Sequence, residues 1–244
     1  YTRKEVVNKV KLTNKVVVIS GAGRGVGRSI ALALAPEKTR LVLVARTITE
    51  LEEVKVQVEE LGGTAIVCPT DISDPHQIQV MADDAMKAFQ TVDVIINNAG
   101  WSPPLRPIQD TTIEDWNYVL NVNARGTFLI TKAFLPTLLA KQNGHVINIS
   151  SVTGVRGVAT ASAYCMSKAA QLAFGQSLLA EVRSEGIHVT NLTSEPVDTR
   201  MRWEITPNYP TDRVIQPDDV GQIVVSILKM NDKVLLDDIP VRVL

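Results

Sequence analysis

Tyr164 and Lys168 stand four residues apart in the stretch SAYCMSK, residues 162–168, and Ser151 closes the run NISS, residues 148–151. A phenol that can lose and regain a proton, an ammonium that biases it and a hydroxyl that can donate to an oxygen suit acid–base chemistry at a carbonyl. Residues i and i+4 lie one above the other on a helix face, so Tyr164 and Lys168 point the same way if this stretch is helical. A free tyrosine has a pKa near ~10, and a cation within ~4–6 Å lowers an acid by ~1–3 units, so Lys168 has the sign and size needed.

A second set lies upstream. SGAGRGVG, residues 20–27, follows a β-branched run and places Gly21, Gly23, Gly25 and Gly27 where a strand turns into a helix starting near Val26. Such a turn needs glycine for its tightness and for bare backbone to approach a pyrophosphate, with the helix N–H groups then facing the anion. The spacing is G-x-x-x-G-x-G. The next apolar run, LVLVA, ends in Arg46, where an acidic residue would accept a ribose 2′-hydroxyl and an arginine accommodates a 2′-phosphate. With Arg24 as a second cation, the pattern favours NADP(H) over NAD, because guanidinium forks suit phosphate.

These residues need a frame, and the sequence supplies one. Short β-branched runs recur at 16–20, 41–45, 65–68, 92–96, 145–150 and 187–192, with a last strand expected at 234–236 or 241–244. Helix-like segments separate them. Thr47 and Glu50 have capping-box spacing before one, and Asp74-Pro75 opens another that runs to Phe89. Near-continuous apolar strands joined by helices predict a parallel sheet covered on both faces: a single-domain, Rossmann-like α/β fold over residues 15–244, after an N-terminal arm at 1–14. The Pro-rich stretch 200–217, with Trp203 and Tyr209, reads as a substrate loop or lid.

The 244 residues are 45% apolar with a net charge of −1. There is no basic excess to suggest nucleic acid, and no apolar run long enough to suggest a membrane partner. Cys68 and Cys165 read as reduced thiols in a cytoplasmic setting. His76, His145 and His188 are scattered and form no metal-ligand spacing, so no metal is expected. Tyr1 in place of Met leaves room for a segment removed upstream.

The glycine turn, NNAG at 97–100, Ser151, YCMSK and NVNARGTF together resemble the short-chain dehydrogenase/reductase family, in order from about residue 13 to 201. The resemblance implies about seven strands in the order 3-2-1-4-5-6-7. It implies Tyr164 as general acid/base, Ser151 as donor to the substrate oxygen and Lys168 on the nicotinamide ribose. Asn123 resembles the family's asparagine that holds a proton-relay water. Asp71 and Ile72 would meet the adenine, Asn98, Ala99 and Gly100 would flank the cofactor, and Val197 and Thr199 would meet the carboxamide. The expected activity is NADPH-dependent reduction of a ketone or aldehyde, reversible as alcohol oxidation. Reduction of a 3-oxoacyl thioester is the alternative within the class, and a non-catalytic NADP-binding sensor or scaffold the alternative outside it. The family also implies a homodimer or homotetramer through helices near 112–140 and 161–185. One departure stands out: Ser194 and Glu195 replace the family's usual Pro-Gly. Glu195 is then either turned to solvent or placed against substrate or the nicotinamide ring.

Overall fold

The computed structural model describes residues 10–244; most of the expected arm lies outside the described residues. Leu12, within that expected arm, is buried against the core, so the chain is anchored before its first strand. Seven strands follow: β1 (Val16–Ser20), β2 (Arg40–Ala45), β3 (Thr64–Pro69), β4 (Val94–Asn97), β5 (Gly144–Ser151), β6 (Ile187–Ser194) and β7 (Asp238–Val241). All neighbours are parallel, in the order β3-β2-β1-β4-β5-β6-β7. Parallel pairing demands crossovers, which the helices supply: α1 (Gly25–Leu34), α2 (Ile48–Glu60), α3 (Pro75–Phe89), α4 (Ile113–Leu120), α5 (Gly126–Lys141), α6 (Ser162–Val182), α7 (Arg200–Ile205) and α8 (Pro217–Leu228).

The strands alternate between two apolar layers. Val17 and Ile19 face Ile30, Leu34, Leu51 and Val224, while Val16 and Val18 face Ile78, Met81, Ile130 and Phe134. The last strand falls at neither place the sequence suggested. It includes Pro240, which lacks an N–H and is tolerated because β7 is an edge strand paired only to β6. Ile239, Val241 and Val243 alternate inward from this edge. The capping box at α2 does not form: Thr47 occupies the N-cap without a side-chain bond, and Glu50 turns instead to Arg24. Asp74 does cap α3, accepting from the N–H groups of His76 and Gln77.

A ladder of buried amides crosses the middle of the sheet. Asn97, Asn148, Asn191 and Asp238 occupy matching register positions on β4 to β7. Each asparagine Nδ2 donates to the next oxygen at 2.9 Å. Buried amides are costly unless partnered, and here each meets its neighbour across the sheet. The ladder requires that α6 approach without a side chain at Gly175, where a Cβ would stand 2.1 Å from Asn191 Oδ1 and 2.6 Å from Asn148 Nδ2. Gly175→Ala is therefore expected to lower unfolding free energy by about 1–3 kcal/mol, the cost of overpacking. Urea unfolding measures it, and an unchanged midpoint would show that the ladder yields freely.

Candidate active site

All seven strands run the same way, so β1, β4, β5 and β6 deliver their C-terminal residues to one edge, where doubly wound sheets hold ligands. The glycine turn comes first. Gly21 and Gly25 have φ of +68° and +54°, in the left-handed region that side chains avoid. A Cβ on Gly27 would lie 2.2 Å from Gly21 O, so α1 packs onto the turn only with glycine there. Ser20 Oγ accepts from the N–H groups of Asn98 and Ala99, and Asn98 Nδ2 donates to Ser20 O and Gly21 O at 2.8 and 3.2 Å. The predicted pair of segments is thus locked together across β1 and β4. The N-terminus of α1 has no side-chain cap and no acidic residue in its first turn, so the N–H groups there remain open to an anion. Thr199, the N-cap of α7, places its methyl 3.2 Å from the position of a Gly25 Cβ, above the same turn. Val197 pairs with Ile215 beside it. The residues present fit an extended dinucleotide.

Ser151 ends β5, and its Oγ accepts from Thr153 N–H at 3.2 Å. That bond fixes the oxygen and leaves the hydroxyl proton for another acceptor. Tyr164 lies on the first turns of α6, near enough to Ser151 for that hydroxyl to favour its phenolate. Burial pushes the Tyr164 phenol up to about 12, while Ser151 and the charge of Arg202 pull the other way. The expectation that Lys168 would lower this phenol is not what the side chains show. Lys168 is 4% exposed and donates to Ile149 O and Gln171 Oε1, both at 3.1 Å. Burial lowers its own pKa to about 8. An ammonium has three donors. These two bonds leave a third, and Gly100 stands beside it: a Cβ on Gly100 would lie 3.6 Å from Lys168 Nζ and 3.5 Å from Asn123 Oδ1. An acceptor such as a ribose hydroxyl fits that place.

Asn123 sits in a π-turn, Asn121–Arg125, that interrupts the passage from α4 to α5. Such turns recur at functional sites because they re-aim a side chain without ending the helix. The Asn123 side chain bonds both backbone groups of Trp101 and donates to Ser167 Oγ at 2.9 Å. The backbone carbonyl of Asn123 accepts from Thr127 Oγ1 at 2.8 Å; Thr127 Oγ1 in turn accepts from Gln171 Nε2, and Gln171 Oε1 accepts from Lys168. A hydrogen-bonded string therefore joins Lys168 to Asn123. Ser167, Thr127 and Gln171 were not singled out in the sequence. The signal for Gln171 was its i+3 spacing from Lys168.

The remaining expected cofactor residues follow β1, β2 and β3. Arg46 Nη1 donates to Tyr118 OH at 2.5 Å, and Arg24 is exposed and pairs with Glu50 at 3.3 Å. Asp71 Oδ1 accepts from Ser73 N and Oγ, and Ile72 is buried where Gly126 gives α5 room. Val26 lies in the first turn of α1. Glu195 does neither thing weighed for it. Its Oε2 accepts from Val243 N–H at 3.1 Å and Arg156 lies 3.7 Å from Oε1, so the carboxylate clamps the C-terminal strand. The 200–217 segment holds α7 and a short turn at 211–213, and Arg202 stacks 3.8 Å over the Tyr209 ring. Arg202 was missed in the sequence, where it lay inside an unreadable loop. Among the described residues no cluster could hold a metal and no helix is long and apolar enough to cross a membrane. Cys68 and Cys165 are unbridged.

A family model described as short chain dehydrogenase matches residues 15–210. An uncharacterized oxidoreductase of Staphylococcus aureus is 34% identical over 233 residues, which is 95% of this chain and 98% of the relative. Among solved structures, an alcohol dehydrogenase from the archaeon Thermococcus sibiricus complexed with 5-hydroxy-NADP has a TM-score of 0.88 at 26% identity, covering 94% of this chain and 97% of the other. A levodione reductase has a TM-score of 0.89 at 25% identity, covering 95% and 97%.

Lys168 yields a test that needs no ligand. Its folded-state pKa of about 8 lies below the ordinary lysine value of 10.5, so the unfolded chain binds more protons between these pH values. Stability conferred through this group must then rise with pH across that window. Relative to Lys168→Met, the wild-type protein should gain stability from pH 8 to 10.5, read as the difference between their urea midpoints. A difference that is flat with pH would mean that the ammonium is not buried.

Proposed function

The chain belongs to the short-chain dehydrogenase family, and on that premise we propose that it is an NADP(H)-dependent carbonyl reductase, reversible as an alcohol dehydrogenase. The observation that carries the reading is the meeting of the Tyr164 phenol and the Ser151 hydroxyl beside a buried, incompletely satisfied Lys168. Gly21, Gly23, Gly25, Val26 and Gly27 would cradle the pyrophosphate. Asn98, Ala99, Gly100, Val197 and Thr199 would flank the nicotinamide half, and Asp71 and Ile72 the adenine. NADPH, when bound, supplies the hydride.

The chain's own residues do the rest. Ser151, its oxygen held by Thr153, donates to the substrate oxygen and steadies negative charge growing there. Tyr164 holds its proton firmly, with a pKa of about 12 before any ligand is bound. An alkoxide is more basic than such a phenolate, so the proton moves from Tyr164 to the substrate oxygen as the carbonyl is reduced. Lys168 would bind the ribose through its third donor, its other two being held by Ile149 O and Gln171 Oε1. Arg46 and Arg24 support NADP(H): both are exposed beside the turn, and Arg46 has only a neutral partner in Tyr118. Glu50, which already meets Arg24, makes Arg46 the more important of the two. A homo-oligomer through the α4–α5 and α6 surfaces agrees with Phe128 and Met166, which are 46% and 49% exposed.

Tyr164→Phe is expected to lower kcat for any carbonyl substrate by about 100- to 10,000-fold, the weight of a general acid, while NADPH affinity changes far less. A near-normal kcat would remove the phenol from the reaction. Arg46→Asp is expected to lose about 1–3 kcal/mol of the preference for NADPH over NADH in kcat/KM, the scale of a charge-assisted hydrogen bond. Equal use of the two cofactors by the wild-type enzyme would overturn the cofactor assignment.

A further inference from the structure

One cation beside the reacting phenol has no anion to answer it. Arg202 lies on α7, whose N-cap Thr199 stands over the glycine turn. Its guanidinium stacks 3.8 Å over Tyr209, which fixes the plane of the fork. Its Nε is buried and makes no hydrogen bond, and among the described residues its side chain makes no ion pair. The neighbouring carboxylates are engaged elsewhere: Asp198 accepts from Trp203 Nε1 at 2.7 Å, Glu204 pairs with Arg200 at 2.6 Å, and Glu195 is held by Val243 and Arg156. Thr199 places α7 at the same edge of the sheet as the glycine turn, and the charge of Arg202 bears on the Tyr164 phenol. A half-buried guanidinium that is stacked but left without an acceptor costs free energy, and a bound anion relieves that cost.

We propose that the substrate carries an anionic group, a carboxylate in the first instance, which Arg202 holds while the carbonyl sits between Ser151 and Tyr164. The proposal rests on the carbonyl-reductase reading of the site and narrows its substrate class. A planar fork pairs with a carboxylate through two parallel hydrogen bonds and with a phosphate in a similar way. Arg202 is then a specificity residue. Its contact would orient the carbonyl.

The test compares carbonyl compounds of one skeleton that end in a carboxylate, a phosphate or an uncharged methyl ester. Each is reduced with NADPH by the wild-type enzyme, Arg202→Met and Arg202→Lys. The wild-type enzyme is expected to favour an anionic compound over the ester at least tenfold in kcat/KM, mainly through KM. Arg202→Met should bring the ratio close to one, and Arg202→Lys should retain part of it. Whether the acid or the phosphate leads identifies the anion. A wild-type ratio near one, a ratio that survives in Arg202→Met, or a large loss of NADPH affinity in Arg202→Met would each overturn the proposal; the last would make Arg202 a cofactor ligand.

Trp203 fluorescence supplies a readout that needs no turnover. Short-chain carboxylates, but not their amides, should change it saturably in the wild-type enzyme with NADP bound, and the response should be lost in Arg202→Met. A carboxylate response without reduction of any carbonyl would remove the reductase reading and keep the anion site. Reduction without anion preference would do the opposite.

Discussion

An ammonium withdrawn from water with no carboxylate beside it is the constraint around which this site is built. Lys168 is 4% exposed, and only a backbone carbonyl and a neutral amide meet it. Burying a charge in this way is unfavourable unless every donor is answered. The fold keeps the arrangement in place by packing. Gly154 lets the turn after β5 press on the backbone of α6 at Lys168, where a Cβ would be 2.8 Å away. The Ser151 strand end and the Lys168 helix are thereby fixed relative to each other. The remaining donor lies beside Gly100, where the proposed ribose hydroxyl would meet it.

The rest of the molecule holds that geometry. Parallel strands send their C-terminal residues to one edge. The amide ladder fixes β4 to β7 in register and sets how closely α6 approaches. Asn98 ties the end of β4 to the glycine turn after β1. The π-turn before α5 aims Asn123 at Trp101 and Ser167 and completes the string that begins at Lys168. Burial inside this packed surround keeps the Tyr164 phenol protonated.

The legible parts of the sequence were those that depend on local pattern. The strands were readable because buried parallel strands are apolar on both faces, as VVVIS and RLVLVA are. The glycine turn and the i, i+4 pair were readable because their chemistry needs particular residue types at fixed spacing. β7 was not readable: an edge strand is half polar, and DIPV carries Asp238 and Pro240. The capping box at Thr47 failed for a long-range reason, since Glu50 has a partner in Arg24, 26 residues away. Glu195 was open for the same reason, its partner Val243 being 48 residues downstream. Arg202 was invisible because its significance lies in what surrounds it, the Tyr209 ring and the missing acceptor, and neither follows from spacing.

The central claim is that this edge of the sheet moves a hydride and a proton onto one carbonyl. The most direct measurement follows deuterium from the reactive position of stereospecifically labelled NADPH during incubation with a panel of aldehydes and ketones, acidic ones included. The account predicts one deuterium on the carbinol carbon of the product for each NADPH consumed. Tight NADPH binding with no label transferred to any carbonyl in the panel would contradict it and leave a nucleotide-binding protein without this chemistry.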